Sequence, residues 1–172
     1  RFSLAGGSTY PVANPISMNN FGPGGGGSLT VSGGWSSCTD TVPSQAEIRL
    51  SFQGAAGPFL LIGSSGGGTS NVTFRSVAVT ATPAAGERLG IRLSGSGTTL
   101  TLDRSEIHLF RDGGVEVSGG ADLLVDEDSS IHDNGPRPDG GGIHCTGAGS
   151  RVVLEGSVRS NQATRGGGSL AA

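Results

Sequence analysis

The chain has 172 residues, 33 of them glycine, with 34% hydrophobic and 15% charged residues and a formal net charge of −3. That glycine content excludes a helical bundle, because each glycine in a helix costs about 1 kcal/mol relative to alanine. Glycine does not recur at every third residue, as collagen requires, no apolar run nears the ~18 residues of a membrane helix, and an acidic chain lacks the basic face of a nucleic-acid binder.

The chain starts at Arg1 without Met or an apolar h-region, so any signal peptide, if one existed, is expected to have been removed or to lie outside this sequence. Residues 1–27 carry Pro11, Pro15, Pro23 and the run Gly24 to Gly27, and they do not fit the rhythm that follows. They read as an N-terminal leader or cap, with Phe2, Leu4, Tyr10, Val12, Ile16 and Phe21 covering the first coil of residues 28–172. A cap is expected because an open strand edge invites aggregation.

From residue 28 one short pattern recurs: two apolar residues flanking an outward one, then a small residue. It reads Leu29-Thr30-Val31, Leu60-Leu61-Ile62, Ile91-Arg92-Leu93, Val115-Glu116-Val117 and Ile143-His144-Cys145, and a further copy begins at Ser169-Leu170. Each unit holds a second alternating run, namely Ile48 to Phe52, Val72 to Phe74, Leu100 to Leu102, Leu123 to Val125 and Val152 to Leu154. Most hold a third: Val77 to Val79, Ile107 to Leu109, Ile131 with His132, and Val158 with Arg159. Period-2 alternation over short segments predicts strands with one buried face. The Gly, Ser, Asn, Asp and Pro between them supply turns.

Three short strands per unit are what one coil of a parallel β-helix needs. One coil cannot bury its own apolar face; stacked coils can, at ~4.8 Å per step, with each backbone amide paired to the next coil. The expectation is therefore all-β: a right-handed parallel β-helix of about five coils, cut from a longer protein. A sandwich would show hairpin signals every 8–12 residues.

Two stretches carry a more specific signature. Ile131-His132-Asp133-Asn134 precedes Gly140-Gly141-Gly142-Ile143, and Val158-Arg159-Ser160-Asn161 precedes Gly166-Gly167-Gly168-Ser169. This pairing resembles the repeats of polymorphic outer-membrane proteins, and more broadly those of secreted bacterial β-helix repeat proteins. The resemblance implies a β-helical passenger of an autotransporter, secreted or displayed on the bacterial cell surface, with adhesion or scaffolding as its role. Flat strand faces with Asn, Ser and Thr ladders make surface glycans or a host or neighbouring cell the expected partners, and copies with uncapped ends are expected to stack end to end. The alternative is a fragment of a polysaccharide lyase or glycosidase, which needs a groove with calcium-binding or paired carboxylates.

Stacking predicts outward rows. Arg92, Glu116 and His144 fall on one, a solvated charge ladder. His108 and His132 fall on another, expected to stack with Arg159 next. Arg75, Asp103, Asp126 and Glu155 each follow a second-run strand. Asp103, Asp126 and Glu155 are the candidate calcium ligands, since calcium takes oxygen donors; no other cofactor and no catalytic residue is expected. Cys38 and Cys145 match no zinc spacing. Placed in the first and fifth coils they stand roughly 19 Å apart, beyond the ~6.8 Å Cα reach of a disulfide. Peptide mapping under non-reducing conditions is expected to find them unlinked, and a recovered Cys38–Cys145 bridge would break this coil order.

Overall fold

The computed structural model describes residues 2–5, 9–14, 16–19, 26–35, 48–52, 58–64, 68–81 and 89–171. Among these residues there is no helix, and the strands fall into six tiers. The first tier holds β1 (Phe2–Ala5), β2 (Thr9–Val12) and β3 (Ile16–Asn19), and the second β4 (Gly26–Trp35), β5 (Ile48–Phe52) and β6 (Leu60–Gly63). The third holds β7 (Thr69–Arg75), β8 (Val77–Ala81) and β9 (Ile91–Ser94), and the fourth β10 (Thr98–Asp103), β11 (Glu106–His108) and β12 (Val115–Ser118). The fifth holds β13 (Asp122–Val125), β14 (Ser130–His132), β15 (Arg137–Asp139) and β16 (Ile143–Cys145). The sixth holds β17 (Arg151–Leu154), β18 (Ser157–Arg159), β19 (Ala163–Gly166) and β20 (Leu170–Ala171).

Each tier gives one strand to each of three six-stranded sheets, so the first sheet runs β1-β4-β7-β10-β13-β17 and the other two follow the same rule. Every pairing is parallel. Strands adjacent in sequence lie in different sheets, and each strand bonds to its counterpart one tier away. This arrangement is that of a stacked parallel solenoid.

Register sets like upon like. Val72, Leu100 and Leu123 share one inward column, Val79, Ile107 and Ile131 a second, and Leu60, Ile91, Val115 and Ile143 a third. All of them are buried. A fully buried aliphatic side chain contributes about 1.5–3 kcal/mol, so these columns carry the stack. Burial is deepest in tiers three to five. It thins at the sixth, where Leu154 and Leu170 are exposed.

Two expectations are corrected by the pairing. Residues 2–19, expected to lie outside the repeat as a leader or cap, supply β1, β2 and β3, one strand per sheet, and the boundary at residue 27 falls inside β4. The tiers therefore number six and not about five. Leu29 also sits opposite Val72 in the first sheet, not beneath Leu60, whose true partner in the first tier is Ile16. Ile48 to Phe52 pairs with Val77 to Ala81 in the second sheet. Alternation marks a strand with one buried face, but all three sheets share that pattern, so it does not say which sheet a strand joins.

Between sheets the chain turns on single residues with positive φ: Ser76 and Arg104 after the first sheet, and Leu109, Asp133 and Ser160 after the second. Next to that last corner stands an asparagine ladder. The Asn134 Oδ1 accepts the Phe110 N–H at 3.0 Å, and its Nδ2 donates to the Ile107 carbonyl at 3.0 Å and to the Asn161 Oδ1 at 3.0 Å. Asn161 repeats the pattern one tier on, accepting the Asn134 N–H at 3.0 Å and donating to the Ile131 carbonyl at 2.9 Å. Beside the ladder a Cβ on Gly142 would lie 2.5 Å from the Ser169 carbonyl and 2.6 Å from the Asn161 Nδ2. The residue there must therefore be glycine. Register also shows that Ile143 pairs with Leu170, so Ser169, not Gly168, stands opposite Gly142.

Gly142→Ala is expected to destabilise the fold by about 1–3 kcal/mol through overpacking against rigid backbone. Gly166→Ala, whose new Cβ would find its nearest neighbour at 3.4 Å, is expected to change stability by less than about 0.5 kcal/mol. Urea denaturation of the two variants beside wild type checks both values.

Candidate functional site

The outward rows of the three sheets differ in chemistry. On the third sheet Arg92, Glu116 and His144 stand in register, as expected from the sequence. Glu116 is held from two sides, by the Arg92 Nε at 3.0 Å and the Arg137 Nη2 at 2.7 Å. Burial pushes the Glu116 carboxyl up, but the Arg137 hydrogen bond and the charges of both arginines outweigh it, leaving it below the usual glutamate range. Arg137 comes from β15, which among the described residues pairs with β19 in a two-stranded parallel sheet of tiers five and six. A second link, Arg165 to Asp139 at 3.3 Å, ties the same two strands. Sequence reading missed β15 and β19 because Arg-Pro-Asp and Ala-Thr-Arg-Gly show no apolar alternation. The usable signal was spacing, since Asn134 to Ile143 and Asn161 to Leu170 span the same length. Arg137 Nη1 and His144 Nδ1 are buried without a hydrogen-bond partner.

On the second sheet His108 and His132 stack, with ring centroids 5.0 Å apart and planes 23° from parallel, and Arg159 follows in register. The His132 Nδ1 meets the Asp133 Oδ2 at 2.7 Å. Its Nε2 lies 3.5 Å from the Glu106 Oε2, within ion-pair range but without the alignment of a hydrogen bond. Burial first, then the charges of His132 and Arg49, hold His108 below its ordinary value, against the opposing carboxylates of Glu106 and Asp133. The hydrogen bond to His132 holds Asp133 below the usual aspartate range.

The calcium candidates take other partners. Asp103 is bound by Arg75 of the tier below and by Arg104 at 3.1 Å. Burial raises its carboxyl, and the two arginines bring it below the ordinary value. The Asp126 Oδ1 accepts the Arg104 N–H at 3.2 Å and the Ser129 hydroxyl, and Glu155 is exposed. Among the described residues no group of three His, Cys, Asp or Glu side chains is placed to hold a metal ion. Cys145 is free, half-buried and packed on the core, and burial raises its thiol. Cys38 lies outside the described residues.

The first sheet presents an uncharged lattice. Ser28, Asn71 and Thr99 share one outward column, and Thr30, Thr73 and Thr101 share the next. None of these six side chains is engaged in a hydrogen bond among the described residues. The columns continue into the Asp122–Arg151 ion pair at 3.1 Å and into Leu124 and Val153. Among the first three tiers lies a half-open apolar cavity of about 210 Å³, bordered by Met18, Leu29, Leu50, Phe59 and Phe74 among others. No family model, curated protein or solved structure matches the chain.

Glu116→Gln removes the charge that anchors both Arg92 and Arg137, and is expected to cost about 1–3 kcal/mol near neutral pH. The folded Glu116 carboxyl titrates below its unfolded value of 4.5. Its contribution is thus complete above that pH and lost as pH falls through the lower folded value. The wild-type and E116Q denaturation curves are expected to differ at pH 7 and to converge toward pH 3.

Proposed function

We propose that the chain is a right-handed parallel β-helix serving as a non-enzymatic, extracellular or cell-surface scaffold of adhesin type. Its first sheet is the face that contacts neutral glycans. The handedness follows from the strong right-handed preference of parallel β-crossover connections. The secreted setting rests on the resemblance of the Asn134 and Asn161 motifs to outer-membrane passenger repeats.

The observation that carries the reading is the lattice of Ser28, Asn71, Thr99, Thr30, Thr73 and Thr101, in register over three tiers. Hydroxyl and amide groups both donate and accept, which suits sugar hydroxyls. They repeat at the ~4.8 Å interstrand distance, close to the advance of one sugar along an extended β-linked chain. The neighbouring charges are already neutralised as Arg75–Asp103 and Asp122–Arg151, which favours an uncharged polymer over an acidic one.

Sedimentation with insoluble cellulose, chitin and an acidic polysaccharide tests this. Wild type is expected to be retained on a neutral polymer without releasing soluble sugar. The double variant Thr73→Arg with Thr101→Arg is expected to lose about tenfold in affinity, near 1.4 kcal/mol, at unchanged melting temperature. Retention on no neutral polymer, or retention indifferent to both substitutions, would overturn the assignment of this face. Release of cleaved sugar would favour the lyase or glycosidase reading instead.

A further inference from the structure

Two outer rows of the second sheet are largely buried in their middle tiers, although Glu106 is half-exposed and Arg49 and Arg159 are exposed. Ala78, Thr80, His108, Ser130 and His132 all lie within them, and each is at most 9% exposed. Two imidazoles therefore stack at 5.0 Å in a shielded row, each with an Nε2 that lacks a hydrogen-bond partner. The charged groups facing them come from four places. Glu106 belongs to β11 itself, Asp133 to the corner after β14, Arg49 to β5 and Arg159 to β18, while β8 supplies only Ala78 and Thr80. Both carboxylates sit on His132, at 2.7 and 3.5 Å. A positive charge placed on His132 would lie between two carboxylates. A second charge, on His108, would face His132 and Arg49 in a site where water screens poorly.

We propose that the His108–His132 stack is an acid-sensitive latch: with one positive charge or none the β11–β14 rung stays closed, and a second proton drives the rings apart and opens it. The direction of the effect follows from linkage. His108 binds its proton less readily in the folded chain than at its ordinary value of 6.5. The opened state therefore holds more protons below that pH, and protection of the rung falls as the solution is acidified. Asp103, Glu116 and Asp133 are all held below their ordinary values, so they stay ionised at pH 5 and do not contribute in this window.

Hydrogen–deuterium exchange of the whole chain at about pH 7.5 and pH 5, corrected for intrinsic rates, reads the latch directly. In wild type, protection over residues 105–110 and 130–135 is expected to drop by about tenfold on acidification, while residues 115–125 keep theirs. His108→Gln keeps an uncharged hydrogen-bonding side chain and is expected to abolish the drop, with protection at pH 7.5 preserved. His132→Gln removes the other half of the pair and provides the same test independently. His144→Gln, on the third sheet, is expected to leave the wild-type drop intact. A drop that persists in both the His108 and His132 variants, a uniform drop along the chain, or no drop in wild type would overturn the proposal. None of these outcomes depends on glycan binding.

Discussion

The whole arrangement depends on in-register parallel pairing between tiers. A strand here has no hydrogen-bonded neighbour close to it in sequence; its N–H and C=O groups are satisfied by the tier before and the tier after. Unpaired buried backbone groups are costly, so each tier is held to the pitch of the next. Register then transmits side-chain identity along the axis. An aliphatic residue at one level obliges an aliphatic residue above it, and Leu60, Ile91, Val115 and Ile143 obey. The same transmission makes Gly142 obligatory, because the asparagine of the next tier occupies the space a side chain would need.

On the outside the same geometry creates an electrostatic problem, since equivalent residues are brought within one strand spacing. Charges alternate in most rows and neutralise one another. Arg75 stands under Asp103, Arg92 under Glu116, and Asp122 under Arg151. Glu116 takes a second arginine from β15, which fastens the side sheet to the stack. The same pairing sets the partners of the acidic positions among the described residues. Asp103 gives both oxygens to arginines, and the Asp126 Oδ1 accepts a backbone amide and a hydroxyl. The histidine row departs from the rule, with two groups of like potential charge stacked in a buried setting.

Much of this was legible in the sequence for tiers three to six. There the alternation of Ile91, Val115 and Ile143 or of Leu100, Leu123 and Val152 aligns without ambiguity. The rows Arg92-Glu116-His144 and His108-His132-Arg159 follow from that alignment. The first two tiers were misread for a physical reason. Proline and glycine between residues 11 and 27 look like leader chemistry, yet strands of four residues need only alternate apolar positions, and Tyr10 with Val12 or Ile16 with Met18 provide them. Partner choice among the three sheets is decided by stacking over the whole tier, which no single strand encodes. Arg137 was missed because its role depends on a strand with no apolar side chains.

The outer rows thus carry distinct chemistries that register keeps in line. Hydroxyls and an amide flanked by the Arg75–Asp103 and Asp122–Arg151 pairs lie on the first sheet, stacked imidazoles on the second, and Arg92 and Glu116 followed by His144 on the third. Within a sheet, a slip of one position would turn the buried aliphatic residues outward, so each outer row is fixed in register. Surface chemistry on such a scaffold is therefore free to vary row by row while the core stays fixed. The histidine pair illustrates the limit of that freedom. Its rings stand on residues adjacent to Ile107 and Ile131, whose side chains fill the second core column. Any force that separates the imidazoles acts on the same backbone that holds this column in register, so a change confined to the outer row is transmitted to the core through two strands of three residues each.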